Sequence, residues 1–140
     1  MEREQLTEAS TAKIVVWLEK NVGGRVVQIA RQPRWRPVWF ADVLRDGETL
    51  ELCVRGDRTD MPLVFPLEHE MVLQRTMHEH GIPTPKVYGL IESPLAYVMD
   101  RVGGRNDFTE STDDERHRAV DEYLQILARL HALPIEPFVR

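Results

Sequence analysis

The sequence predicts an α+β fold: a five-stranded, mainly antiparallel sheet with one packed helix, and a further helix at each end of the chain. Three observations carry this. Residues 26–29, 38–44, 50–54, 87–92 and 96–102 have the alternation or the β-branched and aromatic content of strands. At least three of these stretches are joined by short connections, and Asp46-Gly47 between the second and third is a strong hairpin signal. Only three segments have helical period, whereas a doubly wound parallel sheet needs a helix between nearly every pair of strands.

The first helix follows from Ile14, Val15, Trp17, Leu18 and Val22, which recur at helical spacing before Gly23-Gly24 stops the run. Val26, Val27 and Ile29 begin the sheet. Pro33 and Pro37 then make residues 31–37 a loop. Leu50, Leu52 and Val54 alternate with Glu51, Cys53 and Arg55, as in a strand whose two faces differ. After a loop from Gly56 to Pro66, residues 67–80 read as a helix closed by Gly81, Pro83 and Pro85. Two strands follow around a Ser93-Pro94 turn, and Gly103-Gly104 opens a polar linker to Ser111. Thr112 and Glu115 have capping-box spacing and start a last helix that runs to about Leu133, with Ile126, Leu127 and Leu130 as its apolar stripe.

Composition narrows the function classes. In 140 residues, 42% are hydrophobic and 29% charged, as in ordinary soluble globular domains. The net charge of −5 argues against nucleic acid as the main partner, although a local basic cluster can still hold phosphate. One cysteine, Cys53, excludes an internal disulfide framework and speaks against a zinc knuckle. Residues 1–12 lack the apolar stretch of a signal peptide, and no run reaches the roughly 18 apolar residues of a membrane span. A cytoplasmic protein without a membrane partner is expected.

Glu70 is the most informative position. At 100° per residue it shares a helix face with Leu67, Leu73, Gln74 and Met77, while Glu68, Arg75 and Glu79 lie opposite. A carboxylate on an apolar face costs several kcal/mol unless a base pairs with it. Arg55, on the preceding strand, is the nearest candidate; the alternative is that Glu70 sits at the edge of the stripe and reaches water. The histidines do not make a metal site: His69-Glu70 lacks the second histidine of a zinc-protease motif, and His69 and His78 point to opposite sides. No metal ligands and no Ser/His/Asp or Cys/His constellation are assigned.

A strand ending in a base, a loop, and a helix with an inward Glu form the ion pair of kinase-like folds. Further pieces follow in order. They are Leu67-Glu68-His69-Glu70, Gly81-Ile82-Pro83-Thr84-Pro85-Lys86-Val87, Tyr97-Val98-Met99-Asp100-Arg101-Val102-Gly103-Gly104-Arg105 and Leu127-Ala128-Arg129-Leu130-His131-Ala132-Leu133. Together, over roughly residues 25–133, this ordered set resembles the small-lobe signatures of the aminoglycoside phosphotransferase and choline-kinase-like family. The resemblance implies a kinase-like nucleotide-binding lobe at 1–102, then a hinge, linker and first helix of an incomplete large lobe at 103–140.

The same resemblance implies roles. Arg55 stands where most such kinases have the lysine that holds phosphate, and Glu70 orients it; arginine keeps the charge but brings a planar fork. Cys53 lines the adenine pocket, and a small buried hydrophobe would look the same there. Met99 to Val102 is the hinge, with the carbonyl of Asp100 and the amide of Val102 meeting the adenine edge. The loop between the first two strands departs from the pattern. In place of a small Gly- or Ser-containing turn it has Arg31-Gln32-Pro33-Arg34-Trp35-Arg36-Pro37. Arg34 and Arg36 either cover phosphate with their side chains or belong to a solvated basic loop that can dock on an acidic partner.

The implied cofactor is ATP with Mg2+, and the metal ligands are expected from the large lobe. No His-x-Asp run occurs in the sequence, so the resemblance places no catalytic residue in this chain, and phosphoryl transfer by it alone is not expected. Three explanations stand: a piece of a longer kinase, half of an enzyme completed by a second chain, or a free-standing lobe. Each predicts an exposed apolar edge and self-association. A different class of reading is a non-catalytic interaction module using the 31–36 loop and Asp113, Asp114, Glu115 and Asp121.

Overall fold

A computed structural model describes residues 2–58, 61 and 64–139. Three helices and five strands follow one another as α1 (Glu2–Asn21), β1 (Arg25–Arg31), β2 (Val38–Arg45), β3 (Glu48–Gly56), α2 (Leu67–Glu79), β4 (Val87–Glu92), β5 (Leu95–Asp100) and α3 (Asp113–His131), with a short 3-10 turn at Glu136–Phe138. The expected α+β class is what forms. The strands make a single sheet in the order β1-β2-β3-β5-β4, and every neighbouring pair is antiparallel.

The hairpin between β2 and β3 turns at Asp46 and Gly47, both with positive φ (52° and 79°). That is the backbone a right-handed sheet twist asks of a two-residue turn, and Asp-Gly supplies it at least cost. One boundary was left open by the sequence reading and one differs from it. α1 extends back to Glu2, well before the apolar positions that identified it, because its first turns are good helix formers without an apolar stripe to announce them. β5 ends at Asp100 and not at Val102: after the amide of Arg101 bonds the carbonyl of Glu51, the chain leaves the sheet.

The two sheet faces are covered differently. α1 lays Ile14, Leu18 and Val22 on the face formed by Trp39, Ala41, Val43, Leu52, Val54, Ile91, Ala96 and Val98, and this is the main core. Truncating a leucine as buried as Leu18 costs about 2–5 kcal/mol in such a setting, so α1 is part of the domain and not an appendage. On the opposite face α2 packs over β4 and β5 through Leu67, Met71 and Tyr97, joined by Val72, Val87, Leu90, Leu95 and Met99. Among the described residues, the β1–β3 half of that second face has no comparable helix over it.

α3 carries the expected capping box. Thr112 Oγ1 accepts from the amide of Glu115, and the amide of Thr112 donates to the Glu115 carboxylate at 2.8 Å. That backbone bond pulls the Glu115 pKa down. None of the residues of α3 is buried, and Val120, Tyr123 and Leu124 are more than half exposed. No helix is long and apolar enough to cross a membrane among the described residues.

Candidate functional site

The uncovered half of the second sheet face is where the sequence-identified residues meet. Antiparallel register sets Ala30 across from Phe40, Phe40 across from Cys53, Cys53 across from Met99, and Met99 across from Val87. Because facing residues share a face of the sheet, one row runs over all five strands, with small or apolar side chains at its centre. A second row, two residues along each strand, places Val38, Arg55, Tyr97 and Leu90 side by side. A third, on the other side, sets Gln28, Asp42 and Glu51 together, with Arg101 beside Glu51.

Arg55 meets Glu70 at the end of the second row. Its Nε donates to Glu70 Oε1 at 2.8 Å and its Nη2 lies 2.7 Å from the same oxygen. The other oxygen, Oε2, accepts from Arg36 Nη2 at 3.1 Å, while Arg36 Nε donates to the carbonyl of Gly56 at 3.0 Å. Side-chain exposure is 19% for Arg36, 32% for Arg55 and 35% for Glu70. The helix stripe is corrected in one respect: Leu67 and Met71 are buried whereas Leu73 is exposed. The packed stripe runs through 67, 71 and 74, leaving Glu70 on its flank, where the carboxylate both pairs with base and reaches water.

Gln74 ties α2 to the strands beneath it. It accepts from the Tyr97 hydroxyl at 3.1 Å, and its amide nitrogen donates to the Pro85 carbonyl at 3.0 Å and approaches Met99 Sδ at 3.4 Å. Burial, and then the nearby Glu70 charge, push the Tyr97 hydroxyl up to about 12. On the outer side of Glu70 a groove of about 380 Å³ is lined by Val64, Phe65, His69 and Leu73. His69 stacks on Phe65 there, with ring centroids 5.2 Å apart.

Arg101 builds the third row. One nitrogen, Nη2, lies 2.7 Å from Asp42 Oδ1 and 2.6 Å from Glu51 Oε1, and the guanidinium sits over the Phe40 ring at 5.1 Å. Arg34 approaches the same ring at 5.8 Å. Sequence reasoning assigned Arg101 no part, although the alternation that turns Asp42 and Glu51 to one face was a usable signal. Cys53 lies within reach of these charges. Burial pushes its thiol up, and Arg55, Arg34 and Arg101 pull the other way without overcoming it. At the strand end, Asp100 Oδ1 accepts from the Tyr88 hydroxyl at 2.7 Å. The exposed Val102 makes no backbone hydrogen bond through its amide among the described residues.

The loop before β2 has little backbone to offer an anion. Pro33 and Pro37 have no amide, Gln32 donates to the Val38 carbonyl, and Arg34 donates to the Gln32 carbonyl. Charge in this region is carried by guanidiniums. Arg36 turns to Glu70, Arg34 to Phe40, and Arg58 stacks on Trp35 at 3.4 Å. The donor set therefore fits an anionic chain lying past Arg55. It does not fit a metal ion, since both Glu70 oxygens are held by guanidiniums and no group of three or more metal-capable side chains gathers among the described residues.

A comparison with curated proteins finds no match. The model of the phosphotransferase enzyme family, by contrast, matches residues 37–140, which takes in β2, β3, α2, β4, β5 and α3. With that match over most of its length, the chain belongs to the phosphotransferase enzyme family, the kinase-like group that its motif order resembles.

Proposed function

We propose that residues 1–102 are the ATP-binding lobe of a small-molecule kinase, and that 103–140 form its hinge, linker and first large-lobe helix. The reading rests above all on the Arg55–Glu70 contact at the edge of an uncovered sheet face. The base lies on Ala30, Phe40, Cys53 and Met99, its edge toward the Asp100 carbonyl and the Val102 amide. The phosphates extend along the strands to Arg55, where Arg36, Arg55 and Glu70 together carry one net positive charge. A low-dielectric apolar floor with a cationic end is the electrostatic profile a nucleoside triphosphate requires.

In this reading the chain binds and orients the donor. ATP supplies the phosphoryl group, and the full reaction passes it to a hydroxyl acceptor. The residues that position the acceptor and hold Mg2+ lie outside this sequence, which has no His-x-Asp run. A second reading, a non-catalytic interaction module, is favoured by one observation: no residue of α3 is buried, and Val120, Tyr123 and Leu124 stand exposed on a helix with an acidic first turn. Calorimetric titration with Mg-ATP separates the two. Nucleotide binding that weakens in Arg55→Ala by roughly tenfold or more, as expected for the loss of a charged hydrogen bond, supports the kinase lobe. No binding by folded protein supports the module.

A further inference from the structure

We infer that Arg36 is a positioning residue that latches the 32–37 loop to α2, so that the loop and the Glu70–Arg55 pair move as one unit. The inference rests on the nucleotide-binding reading for its consequence, not for its geometry. Arg36 is the least exposed member of the cluster, and it bridges two separate elements: Gly56, which ends β3, and Glu70 in the first half of α2. The same corner is closed by backbone. The Gly56 amide donates to the Pro37 carbonyl at 2.7 Å, and a β-carbon on Gly56 would stand 2.9 Å from the Pro37 ring.

Glu70 divides its two oxygens between two guanidiniums, each arriving from a different place in the chain. Withdrawing Glu70 by a shift of α2 thus detaches the loop from α2 and unpairs Arg55 in one step, leaving Gly56 as the loop's remaining tie. With two prolines, and with the Gln32 and Arg34 amides bonded to carbonyls, the loop has few backbone donors left to hold it over a phosphate. The side-chain latch takes that function, and it makes the position of the loop depend on the position of α2. Arginine is needed because its planar fork can serve a carbonyl and a carboxylate together, which a lysine ammonium does less well.

The test follows amide hydrogen exchange at Gln32, Arg34 and Gly56 in the nucleotide-free chain, with Leu52 and Val98 as core references. It compares wild type, Arg36→Ala, Arg36→Lys, Glu70→Gln and the Arg36→Ala/Glu70→Gln double variant, and each is then titrated with Mg-ATP. Arg36→Ala and Glu70→Gln should each speed exchange at the three loop-corner amides on the order of tenfold while the core references stay slow. The double variant should be no faster, and bind Mg-ATP no more weakly, than the worse single variant. Arg36→Lys should recover part of both effects, and it carries the test if the alanine variant does not fold. Unchanged exchange in Arg36→Ala together with lost affinity would make Arg36 a direct phosphate ligand and overturn the latch, as would multiplying effects in the double variant. If wild type does not bind Mg-ATP, the nucleotide reading fails and the exchange data alone decide the latch.

Discussion

Arg55 and Glu70, fifteen residues apart in sequence, are joined by two nitrogens of one guanidinium on one carboxylate oxygen, at 2.8 and 2.7 Å. The contact fixes the end of β3 to the first half of α2 and leaves the second oxygen for Arg36. It therefore has a stability consequence as well as the functional one proposed for it.

Glu70→Ala removes the shared partner of two part-exposed guanidiniums. Fully exposed pairs contribute about 0–1 kcal/mol and broken buried pairs cost about 3–5, so the loss here should fall near 1–2 kcal/mol. Urea denaturation measures it. Glu68→Ala, on the exposed side of α2, should change stability by less than about 0.5 kcal/mol, and equal losses in the two variants would remove Glu70 from any structural part.

Cys53 is the chain's one thiol, half-buried and pushed up in pKa by that burial. Alkylation should be slow at neutral pH and rise with pH as thiolate forms. Because Arg101 and Arg34 act to favour the thiolate, Arg101→Ala should slow the reaction further at a given pH. Bound nucleotide should protect the thiol, and rates indifferent to nucleotide at saturating concentration would place the base elsewhere.

Tyr97 and Tyr88 are both held up to about 12, each chiefly by burial, with Glu70 acting next on the first and the Asp100 hydrogen bond on the second. The unfolded chain loses these protons near the ordinary tyrosine value of about 10, so between the two values the native state binds more protons. Stability from this source is complete below that pH and falls as pH rises toward 12. Spectrophotometric titration should show a late tyrosinate component that shrinks in Tyr97→Phe and in Tyr88→Phe.

Val120, Tyr123 and Leu124 line one exposed side of α3. Exposed apolar stripes of this kind promote association, so sedimentation velocity should show concentration-dependent self-association that Leu124→Glu reduces. A wild-type monomer at high concentration would contradict this.

Much of this arrangement was legible in the sequence, for reasons that can be named. Period two placed Cys53 and Arg55 on one strand face, period 3.6 brought Glu70 near it, and Asp46-Gly47 joined β2 to β3. What stayed illegible depends on partners with no shared period. Arg36 was one of two loop arginines, with Arg34, that sequence could not tell apart, and only the turn at Pro37 aims it at Glu70. The Arg101–Asp42 contact spans 59 positions, and a polar helix such as the start of α1 gives no stripe to read. The role of Leu73 was misjudged because a helix face is set by what packs on it, here β4 and β5, and not by the list of apolar residues alone.

The most direct measurement is an amide-resolved nuclear magnetic resonance titration of the chain with Mg-ATP. The account predicts shifts concentrated at Ala30, Phe40, Cys53, Arg55, Met99 and Val102, with Ile14 and Leu18 under the opposite sheet face unchanged. Shifts confined to α1 and the β4–β5 turn, or none at millimolar nucleotide in a folded chain, would contradict it.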